Sequence, residues 1–319
     1  MKSSYIDRRT VLAGLSVSGA TQSPALGQAV ELGLQRPRRL FVTPFDVGAI
    51  GDGTYDDGPA LQRAYDLAHK NGWQLILPSA IYATKQELNF SKAVTVLGSN
   101  WRTSIIKAAA PIRAIMTIGS SSVVQDLGLD GAKQAHICMR VAPGNRCSLS
   151  RMRFENTGGG IGLLIDGEMN NSLFTDLMSQ GNLVNFLVDG GLNLTFLNCN
   201  GNLELNAKED ARSILFLEGR NCRFIGGIFE RGNYTNKYEV EVRRGRSIFF
   251  KDLEISGSQR AGLGVTGGEV YLRDVHFSLA ATSPAVELVS GSLEVRGWTA
   301  SGKEGRTREQ LFKGSIVYV

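Results

Sequence analysis

The chain has 319 residues, 38 of them glycine, with 42% hydrophobic and 20% charged residues. This is ample for a sizeable core and too apolar for a disordered chain, and the glycine excess suits a fold with several turns per repeat. The formal net charge is +5, but the basic residues are not clustered, which argues against a nucleic-acid-binding protein.

The first elements in the chain concern sorting. Asp7-Arg8-Arg9-Thr10-Val11-Leu12 opens an apolar and small-residue run that continues to Ala20, followed by small residues at Ala25, Gly27 and Ala29. Paired arginines, a modest apolar core and a small-residue cleavage region predict an export signal over residues 1–29. The segment resembles the twin-arginine signal of bacteria, which implies transfer of an already folded protein. Its apolar run is too short to span a bilayer as a mature helix. The predicted product is periplasmic or secreted, without stable membrane insertion, and residues 30–41 form a basic linker containing Arg36, Arg38 and Arg39.

A single domain is predicted over 42–319, with an N-terminal cap at about 45–72. Asp57 precedes Pro59, whose fixed φ suits the first helical turn, so a helix starts there. Leu61, Ala64, Tyr65 and Ala68 form its apolar stripe, and Asn71-Gly72 ends it. Strands at Gln74–Leu77 and Ile81–Ala83 follow, with Pro78 between them. The stretch Gly48-Ala49, Gly51-Asp52-Gly53, Asp56-Asp57, Ala60-Leu61-Gln62 and Ala64, then Pro78 and Tyr82, resembles the N-terminus of the pectate-lyase-like superfamily. Val47, Gly58 and Ala80 depart from that pattern. The resemblance, of the rhamnogalacturonase and epimerase type, implies a right-handed parallel β-helix. It assigns Asp52, Asp56 and Asp57 to capping the open end rather than to catalysis.

From Ile137 to Ala300 one pattern repeats. An apolar strand ends in a glycine (Gly144, Gly167, Gly190, Gly219, Gly245, Gly267, Gly291), roughly every 22–29 residues. A second strand then reads apolar–x–x–apolar–x–apolar, as in Leu149–Met152–Phe154 and Phe250–Leu253–Ile255. The apolar runs are β-branched and aromatic and too short for paired helices. They predict an all-β solenoid of parallel strands with about nine coils, irregular between Ile105 and Ile118. A final strand or cap is expected within Glu309 to Val319. Cys138, Cys147, Cys199 and Cys222 have no metal-type spacing and read as buried free thiols.

In such a solenoid, equivalent positions stack about 4.8 Å apart, so columns of the repeat are ladders in space. The column before the strand-ending glycine reads Pro143, Asp166, Asp189, Glu218, Arg244. Three neighbouring carboxylates repel unless a cation, a shared proton or a partner offsets them. They are candidate Ca²⁺ ligands or an acid and a base across a glycosidic bond, with Arg244 on the next coil as a partner for one of them, or pairing with a sugar carboxylate or helping proton abstraction. Solvated turn carboxylates are the alternative. A second column reads Asp126, Arg151, Asp176, Asn198, Gly226, Asp252, Asp274, Gly297, turn formers expected to cap backbone amides. A third puts Glu254 beside His276, the best placed of three histidines for acid–base work, and Arg231, in the Glu230-Arg231 that follows a strand, could line a groove or be ion-paired. These three are candidate substrate-binding residues.

Polygalacturonases of the superfamily carry Asn-Thr-Asp, Asp-Asp, Gly-His-Gly and Arg-Ile-Lys. Here Asn156-Thr157 is followed by Gly158, no histidine is flanked by glycines, and Arg-Ile-Lys is missing. The Asp-Pro-His-Asp signature of alginate epimerases is missing too. The expected partner is a polysaccharide, in particular an acidic one. The expected role is a lyase, otherwise a hydrolase or epimerase, with a non-catalytic exopolysaccharide binder or scaffold as the alternative.

Overall fold

The computed structural model describes residues 40–203, 210–231, 236–256, 260–279, 283–301 and 307–318; the predicted export signal lies outside them. The protein is a right-handed parallel β-helix of about ten turns. Three main ladders of parallel strands run along it, strands pairing with their equivalents on neighbouring coils, and a short fourth one through Asn145, Asn170, Leu192 and Arg220 lies between two of them. Sheet A includes Gln74–Leu77, Thr95–Gly98, Thr195–Leu197 and Arg246–Lys251. Sheet B includes Ala80–Thr84, Ser104–Ala108, Asn200–Leu203, Ile228–Arg231 and Glu254–Ser256. Sheet C includes Ile112–Ile118, Ala135–Val141, Ile161–Asp166, Tyr238–Val242 and Ala261–Val265. Longer strands turn a corner: Ser148–Glu155, Leu173–Gln180, Glu269–Ser278 and Ser292–Ser301 pass from A to B, and Arg212–Ile225 passes from C to A.

The pattern read as one second strand is thus two short strands on different sheets. Between them, Asp126, Arg151, Asp176, Asn198, Asp252 and Asp274 adopt φ of 50–58°, and Gly226 and Gly297 do the same job at 68° and 73°. A left-handed residue breaks the alternation of the strand, so the apolar side chains on both sides of it point inward. Aspartate, asparagine and glycine reach this conformation at least cost. The corner ladder is also tied between coils. Asn198 Nδ2 donates to Asp176 Oδ1 at 3.4 Å, and Arg151 Nε to Asp126 Oδ1 at 2.7 Å.

The inward columns make the core. Phe174, Phe196, Phe224 and Phe250 follow one another with ring centroids 4.6, 4.1 and 5.9 Å apart, and all four are buried. Each such ring contributes roughly 1.5–3 kcal/mol through burial alone. All four cysteines are free and buried within this interior.

The cap helix spans Gly58–Asn71 and ends at Gly72 in the left-handed region. Its buried stripe of Leu61, Ala64, Tyr65 and Ala68 closes the end of the core, where Tyr65 stacks on Phe90 at 4.2 Å. The three acids of the N-terminal motif are spent on backbone. Asp57 accepts from the Ile50 and Gly51 amides, Asp52 from Thr54 and Tyr55, and Asp56 from Gly58 and Lys85. The segment expected to be irregular holds two regular strands, Ser104–Ala108 and Ile112–Ile118, in register with later coils. With them the turns number about ten rather than nine. At the far end, a helix over Arg308–Leu311 and strands Phe312–Lys313 and Val317–Tyr318 add the last layer.

Candidate functional site: the edge and outer face of sheet C

The predicted acid column lies at the edge of sheet C, where the chain turns toward sheet A. Asp166 is in register with Asp189, and Asp189 with Glu218. The ladder shifts just beyond, because Gly190 and Gly191 add an extra residue against Gly219. Both glycines have strongly positive φ, 113° and 118°, and a Cβ on Gly190 would stand 2.5 Å from the Gly167 carbonyl oxygen. The result is a cleft of about 360 Å³ floored by Gly167, Gly190, Gly191 and Gly219, with Glu168, Asp189, Glu218 and Arg220 around it.

The members of the column differ in their surroundings. Asp166 accepts from Arg140 Nε at 2.6 Å, across the coil boundary, and both side chains are about one-third exposed. Arg140, not Arg244, is therefore the arginine paired with a member of the column, and it meets Asp166 alone. It was missed because it lies one coil before the acids and two residues out of their column. Asp189 and Glu218 are exposed and engage no side chain among the described residues. Arg244 follows one coil after Glu218, also exposed, without a side-chain hydrogen bond or ion pair among the described residues. Among the described residues no group of three or more His, Cys, Asp or Glu could hold a metal ion. The three acids are stacked but do not converge as calcium ligands would.

The outer face of sheet C carries charge that the column reading missed. Its outward column runs Arg140, Leu164, Leu187, Leu215, Glu241, Gly264, Glu287, changing from apolar to acidic midway. Glu241 is buried and accepts from Arg212 Nε at 2.7 Å and Arg243 Nε at 2.9 Å. Burial pushes its carboxyl up, but the hydrogen bonds from the two guanidinium groups outweigh this and hold it below the usual range. Two coils on, Glu287 pairs with Arg260 and accepts from the Tyr238 hydroxyl at 2.7 Å. Here too the two donors overcome burial and keep the carboxyl low. Tyr238 lies over Gly264, where any Cβ would stand 2.6 Å from the ring, with the Arg212 and Arg260 guanidinium groups 5.6 and 5.7 Å from its centroid. Burial raises the phenol's pKa, so it stays protonated and acts as a donor. The available signal was the switch from leucine to glutamate in that outward column.

The other predicted pair is assembled as expected. Glu254 and His276 are register partners on the outer face of sheet B, and His276 Nδ1 lies 2.8 Å from Thr299 Oγ1 on the following coil. Arg231 ends the strand Ile228–Arg231 opposite Leu203; its side chain lies outside the described residues. This sheet B pair and the sheet C edge lie on different faces of the solenoid, so they are separate candidates rather than one site.

No protein-family model matches the chain. Its fold is similar to that of the enzymatically active domain of tailspike protein 2 from bacteriophage CBA120, at 15% identity and a TM-score of 0.68, covering 88% of this chain and 46% of that one. It is similar also to the A-module of the mannuronan C-5 epimerase AlgE4 from Azotobacter vinelandii, at 18% identity and a TM-score of 0.57, covering 87% and 96%. The catalytic domain of Agl-KA shares 13% identity and a TM-score of 0.54, over 89% and 69%. The chain spans about half the length of the tailspike chain it matches. At these identities the shared property is the parallel β-helix fold.

Proposed function

We propose that this protein is an exported, polysaccharide-active β-helix that acts as a lyase on an acidic glycan at the edge of sheet C. One observation carries the reading: Asp189 and Glu218 stand on consecutive coils over a glycine-floored cleft, and no other side chain among the described residues engages them. A groove across coils suits a chain substrate, since its contacts recur at the coil spacing. Carboxylates free of internal partners are available to take and return protons. In the proposed step, one of them removes the proton next to the sugar carboxylate. The glycosidic carbon–oxygen bond then breaks with formation of a carbon–carbon double bond, and the departing oxygen is protonated. Arg220 at the cleft, with exposed Arg244 one coil further, supplies positive charge for the sugar carboxylate. That a mannuronan epimerase shares the fold supports the glycan reading, because epimerisation begins with the same proton abstraction.

The test is a panel of uronate-containing glycans followed by absorbance of unsaturated product and by reducing ends. Asp189→Asn should lower turnover by about 10²–10⁴-fold, the usual contribution of a positioned acid or base. It should change stability by no more than about 0.5 kcal/mol, as for an exposed residue. Full activity of Asp189→Asn on a cleaved glycan would refute the assignment. Reducing ends without unsaturated product would replace the lyase by a hydrolase. The alternative, a non-catalytic binder, predicts silence in both channels together with glycan retention.

A further inference from the structure

The outer face of sheet A holds a second cleft, also of about 360 Å³, on the later coils and away from the sheet C edge. Two outward columns line it. Arg223, Phe249, Tyr271 and Glu294 are successive register partners in one, and Ile225, Lys251, Arg273 and Arg296 in the other. Cations therefore recur on three consecutive coils, about 4.8 Å apart, beside an aromatic ridge.

The ridge has a definite polarity. Phe249 and Tyr271 stack on each other at 4.7 Å with 15° between their planes, and the Arg223 guanidinium lies 5.9 Å from the Phe249 ring centroid. Rings stacked along the solenoid axis spend one face each on the other and turn their edges outward. The edge is the positive end of the aromatic quadrupole. Edge and cation row thus favour the same ligand sign. Four cations line the cleft against one carboxylate, Glu294. The Tyr271 hydroxyl is committed to Glu269 at 2.5 Å.

The cations already have partners: Lys251 with exposed Asp252 at 3.3 Å, Arg273 with exposed Asp274 at 3.5 Å and Arg296 with the partly buried Glu294 at 2.6 Å. Their side chains are 41%, 66% and 60% exposed, and such pairs are worth about 0–1 kcal/mol. An incoming anion can exchange with them at little cost. A single small anion would need one such cation; a row of three at the coil spacing fits a chain carrying negative groups at short, regular intervals. Single-stranded nucleic acid needs open aromatic faces for its bases, and here Phe249 and Tyr271 each give one face to the other, with the Arg223 guanidinium beside the Phe249 ring.

We propose that this face is a docking track for a carboxylate-bearing polysaccharide, laid along the solenoid axis, whose anionic groups meet Lys251, Arg273 and Arg296 in turn. The inference shares with the proposed function the class of ligand, but it does not rest on chemistry at the sheet C edge.

The experiment is affinity electrophoresis of the full chain in gels containing polygalacturonate, dextran or a single-stranded oligonucleotide, at low and high salt. The expected result is retardation by polygalacturonate that weakens with salt, with none by dextran. Arg273→Glu/Arg296→Glu should lower the affinity for polygalacturonate at least about tenfold, since reversed rim charges repel the ligand. Asp189→Asn should retain it. If the double reversal fails to fold, the single change Arg273→Gln is measured in the same way and should give a smaller loss of the same sign. Undiminished retardation of the sheet A variants, equal retardation by dextran, stronger retardation by the oligonucleotide, or no retardation of the unaltered protein would each overturn the track. Loss of turnover in Asp189→Asn with retention unchanged concerns the sheet C edge alone, so the two readings fail separately.

Discussion

Replacing Glu241 by glutamine tests whether the charged face of sheet C is a tuned network or incidental surface. The side chains of Arg212 and Glu241 are 5% and 6% exposed, whereas that of Arg243 is 50% exposed. Glutamine keeps the shape but removes the charge that offsets the buried Arg212 guanidinium. Breaking a buried pair in this way costs about 3–5 kcal/mol, a large share of a typical stability of about 5–15 kcal/mol. Arg243→Gln removes only an exposed partner and should cost about 0.2–1 kcal/mol. Exchanging both members of the pair, as in Arg212→Met/Glu241→Leu, should recover part of the loss because neither charge of the pair stays buried. The Glu241 carboxyl sits below its ordinary 4.5 in the folded protein. Its stabilising contribution is therefore fully present above the unfolded value and is lost as pH falls through the lower, folded value. The unaltered protein should lose stability more steeply than Glu241→Gln on acidification below about pH 4.5, near the unfolded carboxyl value. Urea unfolding followed by far-ultraviolet circular dichroism, at neutral pH and in steps below pH 5, measures both effects. A cost under about 1 kcal/mol for Glu241→Gln, or a pH slope matching the unaltered protein, would show that Arg212 has no need of this carboxylate.

Two further expectations concern the corner ladder and export. Asp252 has a φ of 53°, so Asp252→Val should destabilise by about 1–2 kcal/mol while Asp252→Gly stays near neutral; equal urea midpoints for the two would refute the left-handed corner. Changing Arg8 and Arg9 to lysine should hold the protein in the cytoplasm in a fractionation experiment, and unchanged export would point to the general secretory route instead.

The two clefts divide the proposed work by charge. The sheet C edge offers carboxylates not engaged by other side chains among the described residues, which suits proton transfer, with Arg220 beside them to meet a sugar carboxylate. The sheet A face offers cations and positive ring edges, which suits holding an acidic chain.

The solenoid was legible because its information is local and repeated. Strand-ending glycines recur at one period, and the inward phenylalanines Phe174, Phe196, Phe224 and Phe250 recur with them. A translation of about 4.8 Å per coil converts that period directly into neighbours. This is why the sequence alone placed Asp166 beside Asp189, Asp189 beside Glu218, and Glu254 beside His276. It identified the corner residues too, though as turn formers within one strand rather than as the joint between two sheets. Only the tertiary structure decided where side chains go once they leave their column. Arg140 reaches across a coil boundary to Asp166, and Tyr238 lies over Gly264 to meet Glu287, 49 residues away in sequence. Those directions depend on the volume left open by residues on other coils, the missing Cβ of Gly264 above all. No pattern within a single repeat carries that information.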